Sequence, residues 1–237
     1  MNSCWMIPKL KAIPVAVVYV HVMNSAPYLD LSRRFISTYQ QFPPSYPHQT
    51  VIVCNGGTKN PQTEALFAPL PNCLFLNHDN SGRDIGAHQK AAREVPCEVM
   101  VFFGGSTYFR RPGWLNRMVE AYEKYGPTIY GATGNRGAAQ IGVYPHIRTT
   151  AFWLPPSLMN EYPHRVTRDE QRYPFEHGRH CLTDWVARKG MTPLVVTFAG
   201  EYAWENWDNA PGGYHNGMQE NVLVGDRLTA PPYWVCP

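Results

Sequence analysis

No apolar run in this sequence approaches the ~20 residues that a membrane-spanning helix needs. Nor is there a block of lysine and arginine, and the formal net charge of +3 is too small to argue for nucleic acid. The six cysteines, Cys4, Cys54, Cys73, Cys97, Cys181 and Cys236, include no CxxC pair. They read as reduced and mostly buried thiols, Cys54 and Cys73 in or beside core strands, which suits a cytoplasmic protein. Internal repeats and low-complexity segments are also lacking. Lys9 and Lys11 ahead of the apolar run over residues 12–20 imitate a secretory signal. That run is rich in β-branched residues and passes straight into a polar loop and a helix, so it reads as a first core strand.

What is present is a globular balance, 44% hydrophobic and 16% charged, in 237 residues. That length holds one large α/β domain or two small ones. Tryptophan (7) and tyrosine (14) are plentiful, and many lie in the last third, where flat faces pack a core or stack on a sugar ring.

Strand and helix patterns alternate through the first half. Residues 13–22 form a continuously apolar strand broken only by Tyr19 and His21, as expected where both faces are covered. Pro27 suits the first turn of a helix running to about Gln41, with Leu29, Phe35, Ile36 and Tyr39 inward. Further strands are expected over 51–54, 74–76, 99–103 and 128–133, and further helices from the Asn80 loop to about Arg93 and over 112–125, closed by Gly126-Pro127. This order argues for a mostly parallel central sheet flanked by helices. Strands are also expected over 148–154 and 193–198, with a helix over 181–189. Residues 160–180 are polar, and from Glu201 onward no regular period shows, so the aromatic-rich end reads as a lid or binding loop.

The stretch from Leu74 to Trp114 organises the chain. Two buried strands each run into a polar, glycine-containing turn, Asn80-Ser81-Gly82-Arg83-Asp84 and Gly104-Gly105-Ser106. Parallel strands place such turns at one sheet edge, where open α/β folds bind ligands. Arg83 and the free N–H groups of a helix start suit a phosphate there.

These residues resemble a family. Val51-Ile52-Val53-Cys54-Asn55-Gly56-Gly57, the Asn80–Ala87 loop, and Val101-Phe102-Phe103-Gly104-Gly105-Ser106 followed by Arg111-Pro112-Gly113-Trp114-Leu115 are similar to the motifs of GT-A fold glycosyltransferases of the family-2-like and rhamnan-synthesis type. The likeness covers about residues 13 to 200. It implies a single Rossmann-like α/β domain over 1–237, with a nucleotide-sugar half at about 13–135 and an acceptor half and lid at about 136–237. It also implies a UDP-, GDP- or TDP-sugar donor, and a glycan, small-molecule or protein acceptor.

Two departures stand out. Where the family carries Asp-x-Asp, which holds Mg²⁺ or Mn²⁺ on the diphosphate, this chain has Gly104-Gly105-Ser106. Either cations such as Arg83, Arg110, Arg111 and His215 neutralise the diphosphate directly, or Asp79, Asp84 or His215 rebuild a metal site. The acidic residue after the second strand is replaced by Asn55, which still hydrogen-bonds a base or ribose.

Carried onto this chain, the resemblance places His21, Asn55, Asn80, Gly82, Arg83, Asp84, Gly104, Gly105, Ser106 and His215 around the donor. Thr149, Thr150, Trp153, Trp204, Trp207 and Tyr214 lie on the acceptor side. Inverting transfer needs a carboxylate base for the acceptor hydroxyl, for which Glu176 matches best and Asp184 is the rival. The plainer roles are a Glu176 paired with Arg172 or Arg179, an Asp84 favouring its helix dipole, a hydrogen-bonded core His21 and a packed Trp153. Two other functions remain open. One is an inactive binding module, favoured by the missing Asp-x-Asp. The other is a nucleotidyltransferase, which expects a Gly-rich, lysine-bearing loop where this chain has Met23-Asn24-Ser25.

Overall fold

The computed structural model describes residues 13–210 and 221–227. Eight strands form one sheet: β1 (Val15–Val22), β2 (Gln49–Asn55), β3 (Cys73–His78), β4 (Val99–Phe103), β6 (Tyr130–Gly131), β9 (Ala151–Leu154), β10 (Leu194–Val196) and β11 (Glu201–Ala203). Their order is β11-β10-β6-β9-β4-β1-β2-β3. Strands β1, β2, β3, β4, β6 and β10 run one way, and β9 and β11 run against them. Two small ribbons accompany the sheet: β5 (Tyr108–Phe109) with β12 (Val224–Gly225), and β7 (Gly134–Asn135) with β8 (His146–Ile147). The helices are α1 (Ala26–Gln41), α2 (Pro61–Phe67), α3 (Arg83–Glu94), α4 (Trp114–Tyr125), α5 (Pro156–Glu161), α6 (Arg172–His177) and α7 (Leu182–Arg188).

The unbroken apolar run of β1 follows from its position. Val15, Val17 and Tyr19 point into one buried cluster with Phe35, Phe103 and Trp114, while Ala16, Val18 and Val20 point into another with Ile85, Phe102 and Phe152. A strand sandwiched this way has no wet face, so period-two alternation disappears. The four parallel strands and their helices fall where the sequence predicts.

The second half departs from the simple alternation. The strand expected over 128–133 pairs only at Tyr130–Gly131, because β9 enters antiparallel between β4 and β6. The polar stretch 160–180 contains α6, whose Pro174 masks its helical pattern. The region after Glu201 is not wholly irregular: β11 and β12 form within it.

Candidate functional site

The chain runs β1, β2, β3 outward in one direction and then returns to place β4 on the other side of β1. This reversal opens a crevice at the C-terminal ends of β1 and β4, the place where open α/β sheets take ligands. Three groups of residues border it.

The first is at the end of β1. A cavity of 580 Å³ is lined here by His21, Asn24, Ser25, Asn60, Gln62 and Thr63 among others. Asn24 reaches it with φ 55°, a left-handed conformation that asparagine tolerates. His21 is 6% exposed and its Nδ1 lies 2.8 Å from Ser32 Oγ. Ser32 spends its one hydroxyl proton on the Tyr28 carbonyl at 2.9 Å. His21 therefore donates from Nδ1 and keeps a lone pair on Nε2. Burial lowers its pKa, so the ring stays neutral near pH 7. The result is a fixed acceptor on the cavity wall.

The second group surrounds the Gly104–Ser106 turn after β4. Tyr19 donates its hydroxyl to Gly105 O at 2.9 Å, and Arg34 Nη2 donates to Ser106 O at 2.7 Å. Gly104 N and Thr107 Oγ1 both donate to Thr150 O, at 3.0 Å each. A Cβ on Gly105 would sit 3.2 Å from the Tyr28 ring and from Val20 O, so this turn is drawn tight against α1 and β1. On Gly104 the same atom would meet only ordinary contacts at 3.7 Å. Glycine at 105 is therefore a packing requirement, whereas at 104 it is not.

Positive charge gathers under this turn. The Arg34 guanidinium lies 4.4 Å from the Tyr108 ring centroid, and Arg34 itself is 6% exposed. Arg110 and Asp226 also act electrostatically on Tyr108, whose hydroxyl pKa is raised first by burial. Asp226 pairs with Arg148 at 3.3 Å, both side chains being under a tenth exposed. Two arginines, Arg34 and Arg110, thus act on Tyr108, and a third, Arg148, pairs with the carboxylate of Asp226. Arg34, Arg148, Asp226 and Tyr19 carry no sequence motif, and only the apolar context of Arg34, on the inner face of α1, hints at burial. Arg111 stands apart, over the Phe198 ring at 4.3 Å.

The third group holds Glu176 and Thr149, 27 residues apart in sequence. Glu176 Oε1 accepts from Thr149 N at 2.9 Å and from Thr149 Oγ1 at 2.8 Å. Neither Arg172 nor Arg179 pairs with it. His146 and His177 stand nearby, their rings 5.2 Å apart, both with pKa values lowered chiefly by burial. The rival Asp184 lies on α7 with Arg188 Nε 3.0 Å away and His180 at 3.7 Å.

The Asn80 loop is organised by its own partners. Asn55 Nδ2 donates to Asn80 Oδ1 at 2.8 Å, and His78 Nδ1 lies 2.7 Å from Asn55 Oδ1. The carboxamide after β2 therefore locks this loop to the neighbouring strand. Gly82 has φ 66°, and a Cβ there would fall 2.2 Å from Val166 O. Arg83 follows with φ 56° and pairs loosely with Asp169 at 3.7 Å. Asp84 accepts from Arg172 Nε at 2.9 Å.

Several aromatic residues expected on the acceptor side do not reach it. Trp153 and Trp207 are fully buried, Trp153 stacked on Tyr130 at 5.4 Å and Trp207 against Gly134. Their bulk fills the core between sheet and flanking layer, and an acceptor cannot touch them. Trp204 is 44% exposed. Tyr214 and His215 lie outside the described residues. Among the described residues no three His, Cys, Asp or Glu side chains converge to hold a metal ion. Asp84 is engaged by Arg172, and Asp79 accepts from Ser81 N in its own turn at 2.9 Å. Within the described residues this donor set does not fit a metal centre. Among the described residues no helix is long and apolar enough to cross a membrane.

No protein-family model matches the sequence, and no curated protein sequence matches it. Solved structures are similar in outline. Mouse xyloside xylosyltransferase 1, apo form, aligns over 76% of this chain and 82% of its own at 11% identity and TM-score 0.49. The mannosyltransferase PcManGT from Pyrobaculum calidifontis, in complex with GDP-Man and Mn²⁺, aligns over 66% and 50% at 12% identity and TM-score 0.47. HddC from Yersinia pseudotuberculosis aligns over 65% and 82% at 12% identity and TM-score 0.46. At such values the function has to be read from the chain's own side chains.

Proposed function

We propose that this protein is a nucleotide-sugar-dependent glycosyltransferase of inverting type that works in the cytoplasm. The observation that carries this reading is the cationic surround of the Gly104–Ser106 turn at the switch point between β1 and β4. A diphosphate leaving group needs fixed positive charge and hydrogen-bond donors. Arg34 and Arg148 are too buried to touch a ligand and act through their field, which a low-dielectric setting strengthens. Arg110, half-buried, would make the direct contact. The nucleobase would occupy the 580 Å³ cavity, where the Nε2 lone pair of His21 accepts from a base N–H and the amides of Asn24, Asn60 and Gln62 complete the edge.

In the reaction the acceptor hydroxyl loses its proton to Glu176 as its oxygen bonds the sugar's anomeric carbon. The bond from that carbon to the diphosphate oxygen breaks, and the electron pair leaves with the phosphate. Thr149, bound through both its N–H and its hydroxyl to Glu176 Oε1, holds the carboxylate in place and leaves Oε2 to take the proton.

Calorimetric titration with UDP, GDP, TDP and CDP, in Mn²⁺ and in EDTA, tests this. Binding of one nucleotide in EDTA, weakened at least tenfold in Arg110→Ala, is the expected result, since one charge-assisted contact is worth ~1.5–3 kcal/mol. Binding only with Mn²⁺ would require a metal site and overturn the direct-cation part. No binding of any nucleotide would sink the donor site. A second reading, a nucleotide-sugar-binding module without turnover, is favoured by the missing carboxylates at 104 and 106. It predicts binding with no transfer or donor hydrolysis.

A further inference from the structure

Beside α6 lies a separate cavity of 420 Å³. Its floor is apolar. The Tyr162 ring meets Phe175 edge-on at 5.3 Å and Trp185 at 5.8 Å, and Val166 closes the base. The Tyr162 hydroxyl donates to His180 O at 2.9 Å, stapling one wall to the turn before α7. The other wall is held by Gln89, whose Nε2 donates to His164 O and whose Oε1 accepts from Val166 N, each at 2.9 Å.

The rim carries charge of one sign. Arg165 and Arg179 line the cavity, are exposed, and have no carboxylate at ion-pair distance among the described residues. Most other arginines here do: Arg33, Arg83, Arg117, Arg148, Arg168, Arg172 and Arg188 each face an acid. Arg93 stands close enough to Arg165 for its own pKa to be lowered, after burial, by that like charge. The lining itself contains no Asp or Glu, while it includes two histidines, His164 and His180. Uncompensated cations around an aromatic floor match a ligand with a flat apolar body and an anionic end.

We infer that this cavity is a binding site for a small organic anion, an aromatic or similarly flat ring bearing a phosphate or carboxylate. The ring would lie in the apolar part of the cavity, beside Pro163 and Pro174 and over the buried Tyr162 and Phe175, with the anion between Arg165 and Arg179. The inference stands apart from the transferase reading, because none of its residues borders the Gly104–Ser106 turn.

Calorimetry with 4-nitrophenyl phosphate, 4-nitrobenzoate, neutral 4-nitrophenol and inorganic phosphate tests it on the full chain. Either aromatic anion should bind more tightly than 4-nitrophenol or inorganic phosphate. The double variant Arg165→Ala/Arg179→Ala should lose at least about tenfold, as expected for one charged hydrogen bond. Arg188→Ala, an exposed arginine outside the cavity, should bind as the parent does. Both substituted rim arginines are exposed, so unchanged far-UV dichroism and melting are expected for each variant. Equal affinity for neutral 4-nitrophenol, equal affinity of the double variant, or no binding of either anion would each overturn the inference.

Discussion

Removing Asp226 should loosen the β5–β12 ribbon. Asp226 follows β12, which pairs with β5, and its carboxylate meets Arg148 at 3.3 Å with both side chains under a tenth exposed. Arg148 Nη1 has no hydrogen-bond partner, so the carboxylate is the main compensation for burying this guanidinium. Asp226→Ala leaves that charge in place without its partner, which typically costs ~3–5 kcal/mol. For a chain of this size 1 kcal/mol moves Tm by ~2–4 °C, so the melt should fall by roughly 6–20 °C. Urea denaturation measures the same loss through the midpoint. Replacing both partners, Arg148→Met with Asp226→Leu, should restore most of it, because two apolar groups need no mutual neutralisation. A single-variant loss under about 1 kcal/mol, or a double variant no better than Asp226→Ala, would refute the view that this ion pair anchors the β5–β12 ribbon.

Other perturbations have equally definite outcomes. Glu176→Gln keeps a carbonyl oxygen for the two Thr149 bonds, so stability should change by less than ~1 kcal/mol while transfer falls ~10²–10⁴-fold; unchanged turnover would remove Glu176 as the base. His88 is fully buried against Phe102 and Phe152, and burial takes its pKa from 6.5 to about 4. Above pH 6.5 it is neutral folded or unfolded. Between 6.5 and about 4 only the unfolded chain takes the proton, so stability drops as pH falls through that window, by up to ~3 kcal/mol. His88→Leu should flatten that part of the pH–stability curve, and an unaltered curve would contradict it. Gly82→Ala combines a left-handed backbone with a Cβ 2.2 Å from Val166 O, a backbone atom that cannot swing aside. A loss of ~2–5 kcal/mol is expected by thermal melting, and a near-neutral change would mean that the loop relaxes.

Much of this molecule was legible before any coordinates. Apolar runs of four to eight residues ending in Gly or Asn turns are local signals, and the four parallel strands with α1, α3 and α4 follow from them. Glu176 and Thr149 were singled out by resemblance, not by any local signal, and the structure adds that the two are hydrogen-bonded. What the sequence could not show is anything decided by pairing across long separations. Whether β9 runs parallel or antiparallel depends on β4 and β6, not on its own residues. Trp153 and Trp207 look alike whether they face a groove or fill the core, and tertiary packing put both inside. The charge arrangement under the Gly104–Ser106 turn is the clearest case. Arg34, Arg148 and Asp226 come from three distant segments and carry no common motif. The doubly covered sheet brings them together because buried charge must be compensated where the chain happens to meet itself.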